Sequence, residues 1–166
     1  SYTDTAGNAG AAGASANYAV DTLAPSVSSI TMADTTLLEG ETTTLTIVFS
    51  EAVADFANAD VTVENGALAT MTSSDSITWT GAFTPTASTE DATNVASVAT
   101  SYTDTAGNAG AAGTSANYIV DGVDPTVSSV TVSDTTLLSG ETATLTIVFS
   151  EAVAAFTNDD LTTIEN

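Results

Sequence analysis

The sequence of 166 residues contains no lysine, arginine, histidine or cysteine. Without imidazole or thiolate groups it cannot form a His- or Cys-based nucleophilic triad, a structural zinc site or a haem ligand. Without lysine it has no amine side chain for a Schiff base, a P-loop or a lysine–asparagine isopeptide crosslink. Because no cationic side chain can neutralise phosphate, we expect no nucleic acid partner.

The acidic residues number 21 and give the chain a formal net charge of −21. Disordered acidic segments combine high charge with low hydrophobicity, whereas 43% of this chain is hydrophobic and its mean hydropathy is +0.22. We therefore expect a folded chain, and its abundant Thr, Ser and Val favour strands. No run of about 18 apolar residues occurs, so we expect no membrane insertion. Every carboxylate must be solvated, hydrogen-bonded to neutral groups or bound to a cation from solution.

A 100-residue repeat organises the chain. Residues 1–10 (SYTDTAGNAG) recur unchanged as residues 101–110, and residues 44–53 (TLTIVFSEAV) recur as residues 144–153. Solenoid repeats have periods of about 20–50 residues, so a period this long indicates a string of whole domains.

Proline-containing breaks follow strand-like runs at residues 21–25 and 121–125. Proline at the start of a strand costs no ladder hydrogen bond and stiffens a linker. These breaks predict three segments. Residues 1–21 would be the C-terminal strands of a preceding repeat, 25–121 a complete repeat, and 125–166 the N-terminal strands of a following repeat.

Strand-like runs recur regularly in the complete repeat, at residues 26–32, 43–49, 60–64, 68–73, 76–84, 94–102 and 115–120. Seven short strands separated by turn residues predict an all-β, seven-stranded antiparallel sandwich. The dipeptide Asn65-Gly66 predicts a hairpin between the third and fourth strands. The in-phase apolar positions predict a core that contains Leu45, Ile47, Phe49, Trp79, Phe83 and Tyr102.

The order of several motifs resembles bacterial Ig-like repeats. These motifs are VFSEAV at 48–53, NGAL at 65–68, YTDTAGN at 102–108 and DGVDP at 121–125. Such repeats occur in very large adhesins, including RTX adhesins that are exported by type I secretion. The resemblance implies an extracellular, cell-surface protein that acts in cell adhesion. It also implies an Ig-like fold in a tandem array, often with calcium at the junctions between domains.

The topology of such a sandwich predicts where carboxylates meet. Alternate loops share the end at which the chain enters the domain, so oxygen-bearing residues of the first linker and of two loops should converge there. Hard oxygen ligands without nitrogen or sulfur suit calcium. We expect corresponding ligands at the second linker. The predicted metal ligands are Asp21, Glu51, Asp104, Asn108, Asp121, Asp124 and Glu151.

The acidic residues have other possible roles besides binding an ion at the first linker. Asp and Asn in glycine-containing loops form Asx turns by themselves. The base of a neighbouring domain could contribute further ligands through its equivalents of Asp34, Glu39, Glu41, Glu90 or Asp91. The adjacent pairs Glu90-Asp91 and Asp159-Asp160 would point to opposite faces of a strand, which does not suit glycoside hydrolysis. We therefore expect no enzymatic activity.

The sequence is consistent with three alternative functions. The first is a structural extender, or stalk, in which adjacent repeats of the same chain are the partners. The second is a subunit of an extracellular filament or surface layer, in which other copies complete the sandwich by strand complementation or meet end to end. The third is a carbohydrate- or ice-binding module, which should show exposed aromatic residues or a flat threonine array. Near-identical repeats favour the extender, because what is multiplied is length.

Overall fold

A computed structural model describes residues 1–161 of the chain. It is nearly all β, with 39% strand and 4% helix. The strands are β1 Val27–Met32, β2 Thr36–Leu38, β3 Thr43–Phe49, β4 Val53–Ala54, β5 Val61–Val63, β6 Gly66–Leu68, β7 Thr78–Pro85, β8 Glu90–Asn94, β9 Ala96–Val98, β10 Thr103–Asp104, β11 Gly113–Thr114, β12 Tyr118–Asp121, β13 Val127–Val132 and β14 Leu145–Phe149. Short 3₁₀ turns span Asn58–Asp60 and Asn158–Asp160. Within residues 1–161, no helix is long and apolar enough to span a membrane.

The complete repeat is a β-sandwich, as predicted. One layer is a four-stranded antiparallel sheet with the order β1-β3-β7-β6. The other layer consists of three short ladders, β2-β12-β8, β11-β9-β5 and β10-β4. Strand β3 shows why the layers face each other: alternate residues of its sequence TTLTIVF are buried, which is the period of two that a half-buried strand requires.

The core lies between these two layers. Of the six predicted core residues, Leu45, Ile47, Phe49, Phe83 and Tyr102 are 0–2% exposed. Trp79 is only partly buried and packs at the margin of the core, with its ring 5.0 Å from the ring of Phe56 in an edge-to-face arrangement. It occupies the inward position opposite Ile47, and its Nε1 is buried without a hydrogen-bond partner among the described residues.

The structure differs from the predicted strand pattern. Five short strands lie wholly or mostly outside the seven predicted runs, namely β2, β4, β8, β10 and β11. Three further differences concern strand pairing and position. Strand β5 pairs with β9, and β6 pairs with β7, so Asn65 and Gly66 carry the chain from one layer to the other. The predicted hairpin is therefore wrong. The predicted fourth strand, 68–73, is displaced to β6, and beyond it Thr72 forms only an isolated bridge with Thr80. The ladder between β12 and β2 is parallel, whereas the prediction was an antiparallel sandwich throughout.

The flanking segments keep the local structure of the repeat without its core. Strands β13 and β14 pair in the same register as β1 and β3, with Val130 opposite Ile147 as Ile30 is opposite Ile47. Residues 1–24 are exposed throughout, and their only ladder contact is a bridge between Thr3 and Ala9. The last residues of the expected third segment, 162–166, lie outside the described residues.

Candidate metal centre

The first linker and two loops meet at one end of the complete repeat. Strands β4 and β10 form a short ladder in which Asp104 lies opposite Val53. This ladder brings the loop that contains Glu51 beside the loop that follows Asp104. Pro25, which ends the first linker, is fully buried and fixes the point at which the chain enters the domain. The three segments are therefore held together by backbone pairing and packing rather than by the carboxylates themselves.

Three of the predicted ligands converge at this end. Asp21, Glu51 and Asp104 each place one carboxylate oxygen within 4.8 Å of the others. They differ in exposure: Asp21 is exposed, Glu51 is partly buried and Asp104 is 3% exposed. The sequence prediction that these three residues lie together agrees with the geometry.

Asn108 contacts the cluster through its amide nitrogen. Its Nδ2 donates to Asp104 Oδ2 at 2.7 Å and to the backbone carbonyl of Asp21 at 3.3 Å. The side chain thus orients the Asp104 carboxylate and ties the linker to the domain. Sequence reasoning did not foresee this donor role, although the spacing Asp-x-x-x-Asn around a glycine turn is a signal that could have indicated it.

The cluster brings three carboxylates together with no basic side chain to neutralise them. Burial and the nearby charges of Asp21 and Asp104 raise the pKa of Glu51, and Glu51 Oε1 is buried without a hydrogen-bond partner among the described residues. The pKa of Asp104 is lowered, chiefly by the amide of Asn108. Asp104 is therefore stabilised as an anion beside a second carboxylate that resists ionisation. A divalent cation would relieve this conflict and would satisfy the orphaned Glu51 oxygen.

The turn around Asp104 forms without the cluster. Asp104 Oδ1 accepts hydrogen bonds from the backbone N–H groups of Ala106 and Asn108, both at 2.8 Å. In the fully exposed first segment, Asp4 Oδ1 accepts from Ala6 at 3.0 Å and from Asn8 at 2.8 Å. Asx-turn chemistry therefore accounts for the shape of the loop. It does not account for the approach of Asp21 and Glu51, which needs the folded sandwich.

A corresponding cleft lies at the second linker. Asp121, Asp124 and Glu151 line it together with Glu39. Burial, followed by the charges of Asp121, Glu90 and Asp124, raises the pKa of Glu151. This cleft thus repeats the pairing of linker and loop carboxylates at the first linker, and adds acidic residues from the base of the complete repeat.

The acidic residues considered at the base of the domain divide into two groups. Asp34, Glu41 and Asp91 accept hydrogen bonds within their own turns, from the backbone N–H groups of residues 36, 38 and 93 respectively. Glu39 and Glu90 instead lie close to the second linker. Among the described residues, however, only Asp21, Glu51 and Asp104 bring three carboxylates within 4.8 Å of one another.

Comparisons with known proteins identify the family. The family model described as bacterial Ig-like domain matches residues 21–120 and again residues 121–166. Searches of curated proteins and of solved structures found no match. Bacterial Ig-like domains are generally structural rather than enzymatic and are common in extracellular or surface proteins. Because the two matches cover most of the sequence, the chain belongs to the bacterial Ig-like domain family.

Proposed function

We propose that the chain is an extender segment of a large secreted bacterial surface adhesin of the RTX type. In this role it lies outside the cell and separates a terminal binding domain from the surface. The near-identical 100-residue repeats support this proposal, because they multiply length rather than distinct sites. A strand of seven or eight residues and its linker would add roughly 40 Å per repeat. No enzymatic role is part of the proposal.

Calcium at the junctions is the second part of the proposal. The observation that carries it is the convergence of Asp21, Glu51 and Asp104 in a chain that has no basic side chain. The unpartnered Glu51 Oε1 provides a free ligand atom. Extracellular calcium is about millimolar, which suits weak sites of few protein ligands completed by water.

Binding would convert a hinge into a fixed joint. The ligands come from the linker and from two loops of the domain body, so one ion would add a restraint between the exposed Asp21 side chain and that body. By mass action, an ion that binds only the folded state stabilises it by about 2.7 kcal/mol when its free concentration is a hundredfold above the dissociation constant. The chain could therefore be exported in a flexible state at low calcium and become rigid outside the cell.

Calorimetric titration and thermal melting of the 166-residue chain test this proposal. We expect calcium to bind with a millimolar or tighter dissociation constant and to raise Tm relative to EDTA. Amide hydrogen exchange at linker residues 21–24 should slow in calcium, since Asp21 becomes fixed. Asp104→Asn should remove most of the calcium response, because it deletes the most buried carboxylate of the cluster.

Asp55→Asn is the matched control. Asp55 is exposed and has a φ of 58°, a backbone conformation that asparagine tolerates well. It removes the same charge as Asp104→Asn but lies outside the cluster, so its calcium response should equal that of the wild type. Equal Tm values in calcium and EDTA for the wild type would refute the calcium site. An equal loss in both variants would show that calcium only screens net charge.

A further inference from the structure

Asn65 and Gly66 form the only Asn-Gly dipeptide of the sequence, and the fold requires both residues at this place. They carry the chain from β5 in one layer to β6 in the other. Asn65 has a φ of 48°, in the left-handed region that asparagine and glycine tolerate best. A Cβ at residue 66 would lie 2.1 Å from Cζ of the fully buried Phe83. The packing therefore leaves room only for glycine after Asn65.

This dipeptide is chemically reactive. The backbone nitrogen of the residue after an asparagine can attack the side-chain carbonyl carbon, and glycine hinders the attack least because it has no side chain and its backbone rotates freely. At Asn65 the Cγ–Nδ2 bond would break, and Nδ2 would leave as ammonia with the proton of the Gly66 nitrogen. Water then opens the resulting succinimide at one of its two carbonyls. The product is aspartate or, where the backbone carbonyl is hydrolysed, isoaspartate.

The folded repeat holds the Asn65 amide by its leaving nitrogen. Nδ2 of Asn65 donates one hydrogen bond to Asp91 Oδ2 at 2.9 Å and another to Asn94 Oδ1 at 2.6 Å. A side-chain amide has two N–H donors, so both are engaged. Departure of this nitrogen as ammonia therefore requires that both hydrogen bonds break.

The two acceptors are themselves held in place. Asn94 is 0% exposed, and its Nδ2 donates to the backbone carbonyls of Asp91 and Tyr118 at 2.8 and 3.1 Å. Its oxygen must therefore face Asn65. Asp91 Oδ1 accepts from the backbone N–H and the hydroxyl of Thr93 at 2.8 and 3.1 Å. These two bonds, and to a lesser degree the Asn65 amide, lower the pKa of Asp91, so an anionic oxygen faces Asn65.

We propose that Asn65 is a spontaneous deamidation site that the fold keeps unreacted. The reaction proceeds when β8, which carries Asp91 and Asn94, opens locally from the crossover between β5 and β6. A reaction that needs such an opening is slowed by the fraction of time for which the segment is open. The change is irreversible, because the ammonia is lost to solvent.

Deamidation would turn this attraction into repulsion. In aspartate an anionic oxygen takes the place of Nδ2, 2.9 Å from Asp91 Oδ2 and 2.6 Å from Asn94 Oδ1. Three acceptors would then face one another with no hydrogen between them, and two of them carry negative charge. Isoaspartate would also lengthen the backbone at the crossover by a methylene group. We expect β8 to separate from the crossover and the repeat to lose stability, so the reaction would limit the lifetime of the folded domain.

Peptide mapping by mass spectrometry during incubation measures the reaction. Chymotrypsin is the suitable protease, because the chain has no lysine or arginine for trypsin. In the chain unfolded in urea, Asn65 should deamidate at least about tenfold faster than Asn108, which alanine follows. In the folded chain, Asn65 should react at least about tenfold more slowly than in urea.

Removal of one acceptor tests the hydrogen-bond network. Asp91→Ala should speed deamidation of the folded chain towards the rate in urea and should leave the rate in urea unchanged. Asp91→Asn, which sets a donor against the Asn65 amide, should act in the same direction if the alanine variant fails to fold. Asp75→Ala is the matched control. Asp75 also accepts backbone hydrogen bonds in its own turn, from Ile77 and Thr78, but takes no part in this network.

A donor–acceptor exchange tests the consequence for stability. Asn65→Asp imitates the product and should lower Tm by about 5 °C or more. Combining it with Asp91→Asn keeps the net charge of the wild type. The new amide at residue 91 can keep its oxygen on Thr93 and donate to the new carboxylate at residue 65. The double variant should therefore regain most of the lost Tm.

Each outcome decides one step of the proposal. An Asn65 that stays intact in urea overturns the site itself, and equal rates in the folded and unfolded chain overturn protection by the fold. If Asp91→Ala folds and reacts like the wild type, the network is not what protects the amide. If Asn65→Asp keeps the Tm of the wild type, or if the double variant melts no higher than Asn65→Asp, repulsion at this contact is refuted.

Discussion

The substitution Gly110→Ala should destabilise the complete repeat. A Cβ at this position would lie 2.2 Å from Tyr102 Cε2, and Tyr102 is fully buried, so the ring cannot move away freely. Overpacking a core costs about 1–3 kcal/mol. Displacement of the ring would also break the hydrogen bond from its hydroxyl to Ala111, at about 0.5–1.5 kcal/mol. We expect a total loss of about 2–4 kcal/mol.

The same substitution in the first segment is a matched control. A Cβ at Gly10 would lie 1.9 Å from Tyr2 Cε2, and the local sequence is identical to that around Gly110. Tyr2 is exposed, however, so it can swing into solvent. At low protein concentration Gly10→Ala should leave the stability of the complete repeat unchanged.

Urea denaturation followed by tryptophan fluorescence measures this difference. Trp79 is the only tryptophan in the sequence and lies in the complete repeat. A loss of 2–4 kcal/mol corresponds to a fall in Tm of about 10–25 °C for a domain of this size. The reasoning would be refuted if Gly110→Ala changed stability by less than about 0.5 kcal/mol, within the range of ordinary surface changes. Equal effects at Gly10 and Gly110 would also refute it.

Three further predictions concern titration. Asn108 is the largest cause of the lowered pKa of Asp104; the ionised Asp104 therefore adds stability that is lost as pH falls through its folded pKa. Asn108→Ala should raise that pKa and move this loss to higher pH, as measured by carboxyl NMR titration. The pKa of Glu51 is raised, so in EDTA its ionisation destabilises the fold above that pKa and the penalty disappears as pH falls. Glu51→Gln should raise Tm at neutral pH in EDTA, and an unchanged Tm would contradict this. Burial raises the pKa of Tyr118 to about 12, so stability should fall as pH rises from about 10. Tyr118→Phe should flatten this alkaline decline in thermal melts.

Much of the sandwich could be predicted from the sequence because its long strands have clear alternation. β3 has Leu45, Ile47 and Phe49 in phase, and all three are buried. The short strands gave no such signal. β2, β4 and β10 have only two or three residues each, and their pairing depends on which distant segment lies beside them. The Asn65-Gly66 pair is a local turn signal. It does not form a hairpin, because β5 and β6 pair with strands of different layers.

The candidate site shows the same division between local and distant information. The turn after Asp104 follows from its own sequence, since the first segment forms it in isolation. The convergence of Asp21 and Glu51 on that turn followed from the order of loops in a sandwich. The direction of the Asn108 amide could not be read from sequence, because a side-chain amide offers both a donor and an acceptor.

The parallel ladder between β2 and β12 determines how the domain would respond to tension. A pull on the two ends of the repeat draws β12 along its own axis in the direction of the next domain. Its ladder partners in β2 run the same way, with Val120 opposite Leu37, so the hydrogen bonds between them are loaded together in shear rather than opened one after another. Survival of a pulled domain depends on its unfolding rate under force rather than on its equilibrium stability. In the proposed extender role, this strand of four residues would therefore resist unfolding of the complete repeat under tension.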